Sequence, residues 1–263
     1  MIECEIVDDT IAIVTLNRPD AANALTLPMV GRLRATIAEL QGDPAVRLLV
    51  LTGRGAVFCA GLDLKEVLMG DDAPVGPVEN MDLQERFASL MREIAESRFP
   101  VIAAMNGAAA GAGMGIALAA DIRVATATAK FLVGAVKVAL SAGECGISYH
   151  LPRLIGAGRA FEIMLTGRPV EAEEAFRIGL VTTLCEPDDL HRTALALARQ
   201  ITANSPYAVK HTKQVMRANI EATSLQAALE LENHVQCLAL GTADFREACR
   251  AFAEKRQPQF RGA

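Results

Sequence analysis

Aromatic side chains, clustered cysteines and positive charge are all scarce in this sequence of 263 residues. It has no tryptophan, and only 4% of its residues are aromatic. Its formal net charge of −5 argues against nucleic-acid binding as a default function. The six cysteines form no C-x-x-C pair and no cluster with histidine, so neither a zinc site nor a disulfide framework is predicted. The acidic first nine residues lack a signal-peptide pattern, and we expect a cytoplasmic protein.

The usual nucleophile motifs are also missing. No G-x-S-x-G elbow occurs, and Ser148 lies only two residues before His150, without a strand–turn–helix context. The four histidines are isolated from one another, which favours surface or structural roles. Cys59 and Cys145 lie in glycine-rich turns and could be nucleophiles, although small buried cysteines are the more common case.

Apolar residues make up 51% of the chain, enough for a sizeable core. Residues 11–16 read as a strand. A helix is predicted from the N-cap Thr26 to Gly42, and residues 48–51 form the next strand. Alternating strands and helices predict an α/β core over residues 1–203. The almost entirely helical pattern from residue 204 to 263 predicts an appendage that serves oligomerisation or covers the core.

The segment from Met105 to Asp121 is the most distinctive part of the sequence. Four glycines lie among alanines after a short apolar run, which predicts a buried strand, a tight turn and a buried helix. A helix N-terminus reached through glycines can hold an anion or an oxyanion. Simple close helix packing, a membrane span over residues 101–120 and a dinucleotide motif are the alternatives. Few leucines, the Asn-Gly break and the G-x-G-x-G spacing count against the last two.

A second segment, Gly53 to Lys65, has the same strand–turn–helix pattern, which indicates either a weak internal repeat or two ordinary crossovers. The acidic segment 69–80 contains two prolines and is predicted to be a mobile loop beside a pocket. An amphipathic helix over residues 83–94 follows it.

Glu144 is the acid most suited to chemistry. It lies between Gly143 and Cys145-Gly146, in a stretch that is otherwise uncharged from residue 139 to 149. Burial there would raise its pKa toward the range of a general base. An exposed loop glutamate, or an acid in the first turn of a helix, explains its position equally well from sequence alone.

Six segments together resemble the crotonase family, also called the enoyl-CoA hydratase/isomerase superfamily. They occur in family order over nearly the whole chain: N-R-P-x-x-x-N-A-L from Asn17, G-R-G-x-x-F-C-A-G-L-D-L from Gly53, N-G-x-A-x-G-A-G-M from Asn106, G-I-S-Y-H-L-P-R-L-I-G from Gly146, L-T-G-R-P-V-E-A-E-E-A from Leu165, and A-F-A-E-K-R-x-P-x-F from Ala251. The resemblance implies a spiral of ββα repeats and a helical C-terminal trimerisation region. It also implies an acyl-CoA thioester as substrate, with no other cofactor, no nucleic acid and no membrane partner.

The resemblance further implies an oxyanion hole made by two backbone N–H groups, those of Ala60 and Ala112. The family often has glycine at the second place, and alanine would narrow the pocket. Residues expected to contact the CoA and acyl groups are Ala22, Ala24, Ala60, Gly61, Leu62, Asp63, Leu64, Gly111, Val136, Phe252 and Lys255. The last two resemble family residues that reach CoA from a neighbouring subunit, so a homo-trimer or a dimer of trimers is expected.

The sequence departs from the family's hydratases, which hold a water between two glutamates. Here those positions are Gly115 and Val136. What remains is Glu144, which resembles the single acid of Δ3,Δ2-enoyl-CoA isomerases. We therefore expect double-bond isomerisation, as in fatty acid β-oxidation, with Glu144 as acid and base. A hydratase using Glu144 or another acid, and a non-catalytic acyl-CoA-binding protein, are the alternatives.

Overall fold

The computed structural model describes residues 1–70 and 75–262. The strands are β1 (Ile2–Val7), β2 (Ile11–Leu16), β3 (Leu48–Gly53), β4 (Val57–Cys59), β5 (Val101–Met105), β6 (Ala108–Ala110), β7 (Ile122–Thr126), β8 (Lys130–Leu132), β9 (Pro169–Glu171) and β10 (Thr183–Cys185). The helices are α1 (Leu27–Gly42), α2 (Leu64–Leu68), α3 (Pro77–Ala95), α4 (Ala112–Ala119), α5 (Ile147–Ile155), α6 (Ala157–Thr166), α7 (Ala172–Arg177), α8 (Leu190–Thr202), α9 (Pro206–Ile220), α10 (Leu225–Leu240) and α11 (Ala243–Glu254). Short 3₁₀ helices span Pro19–Ala21, Gly134–Val138 and Pro187–Asp189.

The strands form two sheets. The larger has the order β1-β2-β3-β5-β7-β10, and the smaller has the order β4-β6-β8-β9. The pair β1/β2 in the larger sheet and the pair β8/β9 in the smaller sheet are antiparallel. The other neighbouring strands of both sheets pair in parallel. Buried strands with parallel neighbours read as continuous apolar runs, as β5 does over Val101–Met105.

The chain alternates between the sheets in a repeating unit. In each unit the first strand joins the larger sheet, the second joins the smaller sheet, and a helix follows: β3-β4-α2, β5-β6-α4 and β7-β8-α5. The predicted α/β class and the ββα repeat are therefore confirmed. The two glycine-rich segments occupy equivalent places in successive units, which explains why they share a pattern.

Local sequence explains where the first long helix begins. The Thr26 hydroxyl accepts a hydrogen bond from the Met29 N–H at 3.3 Å, and Pro28 lies in the first turn. The apolar side chains of α1 face the main core, where Leu33 and Ile37 are fully buried. The prediction of this helix from Thr26 to Gly42 is confirmed.

Other boundaries differ from the prediction. The segment predicted to be a loop over 69–80 contains the start of α3 at Pro77, and its residues 71–74 lie outside the described residues. The apolar run 101–120 is β5, β6 and α4 rather than one helix. In the described ranges, no helix is both long and apolar enough to cross a membrane.

The C-terminal helices make few core contacts beyond α9. Lys213 of α9 is buried, whereas α10 has no buried residue, and α11 packs against α10. Large apolar side chains on these helices remain exposed, including Leu225, Leu238 and Phe252. The division of the chain at residue 203 stays a prediction.

Candidate functional site

Three segments carrying predicted site residues meet at one edge of the smaller sheet. Strand β4 pairs in parallel with β6, where Cys59 lies opposite Ala109, and β6 pairs in parallel with β8, where Ala110 lies opposite Leu132. The carboxyl ends of neighbouring parallel strands lie at the same edge of a sheet, and open α/β sheets bind their ligands there. The edge is thus formed by the residues that follow each strand.

The two glycine-rich turns touch each other at this edge. Gly61 has φ +88°, and a Cβ placed on it would lie 2.6 Å from the Ala110 carbonyl oxygen and 3.3 Å from the Ala112 nitrogen. Only glycine combines that backbone angle with so close an approach. The two turns are therefore in direct contact, and their joint action as an oxyanion hole stays a prediction.

Ala112 supplies a free backbone donor. It is the first residue of α4, so its N–H has no partner within the helix. Gly111 donates to the Leu132 carbonyl at 3.1 Å, and Gly115 donates to the Gly111 carbonyl at 3.0 Å, whereas the Ala112 N–H has no hydrogen-bond acceptor within the described ranges. The Ala112 N–H lies at the N-terminal end of the helix, where the helix dipole favours negative charge.

The structure does not support Ala60 as the second donor. Its N–H already donates to the Ala22 carbonyl at 3.0 Å. In the residues that follow Ala60, the Gly61 carbonyl accepts from the Leu25 N–H at 2.7 Å, and the Asp63 N–H donates to the Leu25 carbonyl at 3.0 Å. Because polar groups alternate in direction along an extended chain, the N–H of Leu62 faces away from Leu25. Within the described ranges it has no hydrogen-bond acceptor, so it is the available donor.

Glu144 lies against the start of α4. It sits in the loop before α5, half-buried, and its Oε1 is 3.4 Å from the position that a Cβ on Gly111 would occupy. No side chain or backbone group of the described residues donates a hydrogen bond to its carboxylate. Burial raises the pKa of this carboxyl group, because desolvation disfavours the charged form. The site therefore contains a carboxylate with free acceptor capacity beside the Ala112 donor.

The two places where a hydratase would carry glutamates have no acid. A Cβ on Gly115 would lie 2.6 Å from the Cys145 carbonyl oxygen, 2.8 Å from the Cys145 Cβ and 3.3 Å from the Met91 sulfur. Neighbouring atoms thus fill the space that a first glutamate would need. Val136 lies exposed on the 3₁₀ helix 134–138, with its side chain against Gly167.

The cysteines of the glycine-rich turns are poor nucleophiles. Burial raises the pKa of both the Cys59 and the Cys145 thiol to about 12, and the Cys59 Sγ donates to the Asn23 carbonyl at 3.3 Å. A thiol with such a pKa contains almost no thiolate at neutral pH. These properties favour the interpretation of both residues as packed core thiols.

The N-terminal loop carries residues whose importance the sequence analysis missed. Asn23 is fully buried, and its amide nitrogen donates to the carbonyls of Arg54 and Val57 at 3.0 and 2.7 Å. Its Oδ1 accepts from the Arg18 N–H at 2.8 Å. The only signal for both was their place in the N-R-P-x-x-x-N segment. Ala22 and Ala24, predicted to line the CoA path, lie on this same loop.

The remaining predicted contacts are not assembled within one chain. Phe252 at the end of α11 is 88% exposed, and Lys255 follows it in an exposed, left-handed conformation. A role of these residues at a neighbouring subunit's site stays a prediction. Over residues 1–70 and 75–262, no three His, Cys, Asp or Glu side chains are grouped so as to hold a metal ion.

Known proteins share both the sequence and the fold. The family model described as enoyl-CoA hydratase/isomerase matches residues 7–263. A Mycobacterium bovis protein named "Probable enoyl-CoA hydratase echA12" is 40% identical, with 95% of this chain and 89% of the relative covered. The 1,2-epoxyphenylacetyl-CoA isomerase of Escherichia coli is 36% identical, with 97% of each covered. A crystal structure of enoyl-CoA hydratase from Bacillus anthracis gives a TM-score of 0.94 at 32% identity, covering 100% of this chain and 99% of that one.

Proposed function

Because the chain belongs to the enoyl-CoA hydratase/isomerase family and is an enzyme of that class acting on acyl-CoA thioesters, we propose that it moves the double bond of an enoyl-CoA, with Glu144 as its acid and base. The observation that carries this proposal is the placement of acids. Glu144 lies beside the N-terminus of α4, and both hydratase glutamate positions, Gly115 and Val136, lack a carboxylate.

In the proposed reaction, the thioester oxygen of a 3-enoyl-CoA accepts hydrogen bonds from the backbone N–H groups of Leu62 and Ala112. The Glu144 carboxylate takes a proton from C2, and the electron pair delocalises into the thioester as a dienolate. Glu144 then returns the proton to C4, which leaves the conjugated 2-enoyl-CoA. Each oxyanion-hole donor is worth about 3 kcal/mol to such a transition state. No water and no further cofactor enters this reaction.

The assembly proposed with this function is a homo-trimer or a dimer of trimers. Exposed apolar side chains on α10 and α11 support it, since covering them in an interface would remove apolar surface from water. Phe252 and Lys255 would then complete the CoA site of a neighbouring chain.

Replacing Glu144 by glutamine tests the assignment. Glu144→Gln keeps the side-chain shape and removes the base, so we expect conversion of 3-enoyl-CoA to fall by at least about 10²–10⁴-fold. Thioester binding should persist. Formation of the conjugated thioester is followed by its ultraviolet absorbance. Glu173→Gln, which changes an exposed acid of α7, is the matched control and should leave turnover unchanged.

The pH profile gives a second readout of the same assignment. Burial raises the pKa of Glu144, and the base must be ionised to act. The acid limb of kcat/KM should therefore lie above the ordinary glutamate value of about 4.3. Turnover that survives Glu144→Gln would rule out this residue as the base.

A hydratase is the second candidate, favoured by the names of relatives such as the Mycobacterium bovis protein. In that case Glu144 alone would activate a water that adds to 2-enoyl-CoA. Water addition that is faster than isomerisation in the unmodified enzyme would favour the hydratase. Tight thioester binding without turnover of either substrate would favour a non-catalytic binding protein.

A further inference from the structure

The geometry points to Arg18 as a positioning residue for the oxyanion hole: its guanidinium holds Asp63, and thereby fixes the direction in which the neighbouring Leu62 N–H points. This inference rests on the proposed function, in which that N–H receives the thioester oxygen. The Arg18 guanidinium is occupied by contacts with Ala24, Asp63 and Glu66, so we assign it no part in the chemistry.

One nitrogen of Arg18 joins the N-terminal loop to the second glycine-rich turn. Its Nη1 donates to the Asp63 Oδ2 at 2.6 Å and to the Ala24 carbonyl at 3.1 Å. Its Nη2 lies 3.5 Å from the Glu66 Oε2. The Arg18 and Asp63 side chains are only 27% and 14% exposed, so water competes weakly for the pair. The hydrogen bond from Arg18 also holds the pKa of Asp63 below its usual range.

Leu62 needs such a restraint because of the residue before it. Gly61, at φ +88°, has no side chain to limit rotation of its backbone. The Leu62 N–H belongs to the same peptide unit as the Gly61 carbonyl, which accepts from the Leu25 N–H, and the Asp63 N–H donates to the Leu25 carbonyl. Arg18 holds this arrangement from both sides, because it bonds the Ala24 carbonyl next to Leu25 and the Asp63 carboxylate next to Leu62. The Asp63 carboxylate fixes the far end of this segment, because its Oδ1 also accepts from the Glu66 N–H at 3.1 Å and caps α2.

A hydrogen bond to Asn23 also fixes the backbone of Arg18. Its backbone N–H donates to the Asn23 Oδ1 at 2.8 Å, and the Asn23 amide donates to the Val57 carbonyl at 2.7 Å. Asn23 thus links the Arg18 backbone to strand β4, whose end leads into the turn that carries Leu62. Loss of Arg18 would leave Asp63 with its cap of α2 and its backbone bond to Leu25, but without its side-chain link to the N-terminal loop.

The test measures polarisation of a bound thioester carbonyl by infrared difference spectroscopy. The probe is butyryl-CoA labelled with ¹³C at the thioester carbon, a saturated ligand that does not react. We expect a shift to lower wavenumber on the unmodified enzyme. Arg18→Gln should lose most of that shift, and kcat for 3-enoyl-CoA should fall about 10-fold to 100-fold while KM changes less than about threefold.

Conservative variants and a control separate positioning from folding. Arg18→Lys should restore much of the shift, since a single nitrogen makes both main contacts. Asp63→Asn, which keeps an oxygen to cap α2, should reproduce the loss seen with Arg18→Gln. Arg54→Gln removes an exposed arginine paired with Glu3 and should change neither the shift nor kcat.

The outcomes distinguish this inference from the proposed function. An unchanged carbonyl shift in both folded Arg18→Gln and Asp63→Asn overturns the positioning role, even if their melting temperatures fall. A carbonyl shift that depends on Arg18 in an enzyme without isomerase activity supports the positioning role and contradicts the proposed reaction. If Arg18→Gln does not fold, Asp63→Asn with a full shift still overturns the inference.

Discussion

Gly115 is a position where the chain tolerates no side chain. Its Cα lies so close to Cys145 that an added Cβ would be 2.6 Å from the carbonyl oxygen and 2.8 Å from the Cys145 Cβ. Real Cβ atoms do not approach backbone oxygen so closely, so α4 or the Glu144–Cys145 loop would have to shift. We expect Gly115→Ala to destabilise the fold by about 1–3 kcal/mol, as overpacking does, measured by chemical denaturation.

Gly31 provides the matched control for that substitution. It lies on the exposed face of α1, and nothing is within 4 Å of the position of its Cβ. Gly31→Ala should stabilise the protein by about 0.5–1 kcal/mol, because alanine is the better helix former. Equal effects of the two substitutions would contradict the packing described around Gly115.

The choice between Ala60 and Leu62 shows where sequence reasoning about the site ends. The glycine pattern indicated a repeated strand–turn–helix unit, the family resemblance implied that the two turns form one oxyanion hole, and the uncharged surroundings of Glu144 identified it as a candidate base. Which N–H is free depends on Leu25, which pairs with Leu62 across 36 intervening residues and leaves Ala60 bonded to Ala22. No local pattern encodes that pairing, so the prediction fell two residues short of the available donor.

Helix α9 is attached to the core through Asp121, which precedes β7. The carboxylate accepts hydrogen bonds from the Val101 N–H and from Arg217, each at 2.8 Å, and it pairs with Lys213 at 2.8 Å. The Lys213 ammonium also donates to Ser97 and to the Phe99 carbonyl. This cluster fixes the first C-terminal helix to the segments that lead into β5 and β7.

Removing the charge of Asp121 should therefore weaken the whole attachment. Asp121→Asn leaves the Lys213 ammonium, only 8% exposed, without a counterion, and should cost about 3 kcal/mol of folding free energy near neutral pH. The control Asp189→Asn, which breaks the exposed pair with Arg192, should cost less than about 1 kcal/mol. Denaturation curves of both variants provide the comparison.

The pH dependence of that loss has a definite sign. Burial lowers the pKa of Lys213 to about 8, below the value of about 10.4 in an unfolded chain. The unfolded state then binds more protons between these values, so stability gains from Lys213 as pH rises through the window. Without Asp121 the ammonium is still harder to keep charged. The deficit of Asp121→Asn should therefore shrink as pH rises toward about 8 and stay level above it, and a deficit that grows would contradict the counterion role.

Strong local signals made some elements predictable and left others hidden. Helix α1 was found because Thr26, Pro28 and Gly42 mark its ends. Strand β1 was missed because it is an edge strand whose residues, including Glu3 and Glu5, are mostly exposed and lack an apolar pattern. Strands β9 and β10 have three residues each, which is too short for a periodic pattern in the sequence. They are defined by their hydrogen-bonded pairing with β8 and β7, respectively.

The molecule as a whole combines a well-buried spiral with a helical end that is incompletely packed. The core buries its apolar side chains almost completely, whereas α10 has none buried and leaves Leu225 and Leu238 75% and 67% exposed. Phe252 on α11 is more exposed still. Burying apolar area gains roughly 25 cal/mol per Å², so such a surface favours association.

Association through this surface can be tested by mass. We expect light scattering on the purified protein to give three or six times the chain mass of 27.9 kDa. Leu238→Asp, which places a charge near the C-terminal end of the exposed α10 surface, should shift the population toward single chains because a buried unpaired charge is costly. Met69→Asp, at an apolar residue that is 81% exposed and far from α10 in the sequence, should keep the assembled mass.

Thioester binding links the assembly to the site. If Lys255 and Phe252 reach the CoA of a neighbouring chain, Leu238→Asp should bind acyl-CoA more weakly while its isolated chain remains folded. Raising the protein concentration should then restore mass and affinity together, since both depend on the same contact. If the unmodified protein is monomeric at all concentrations, the exposed helices do not serve assembly. If a monomeric variant keeps its full affinity for acyl-CoA, the site is complete within one chain.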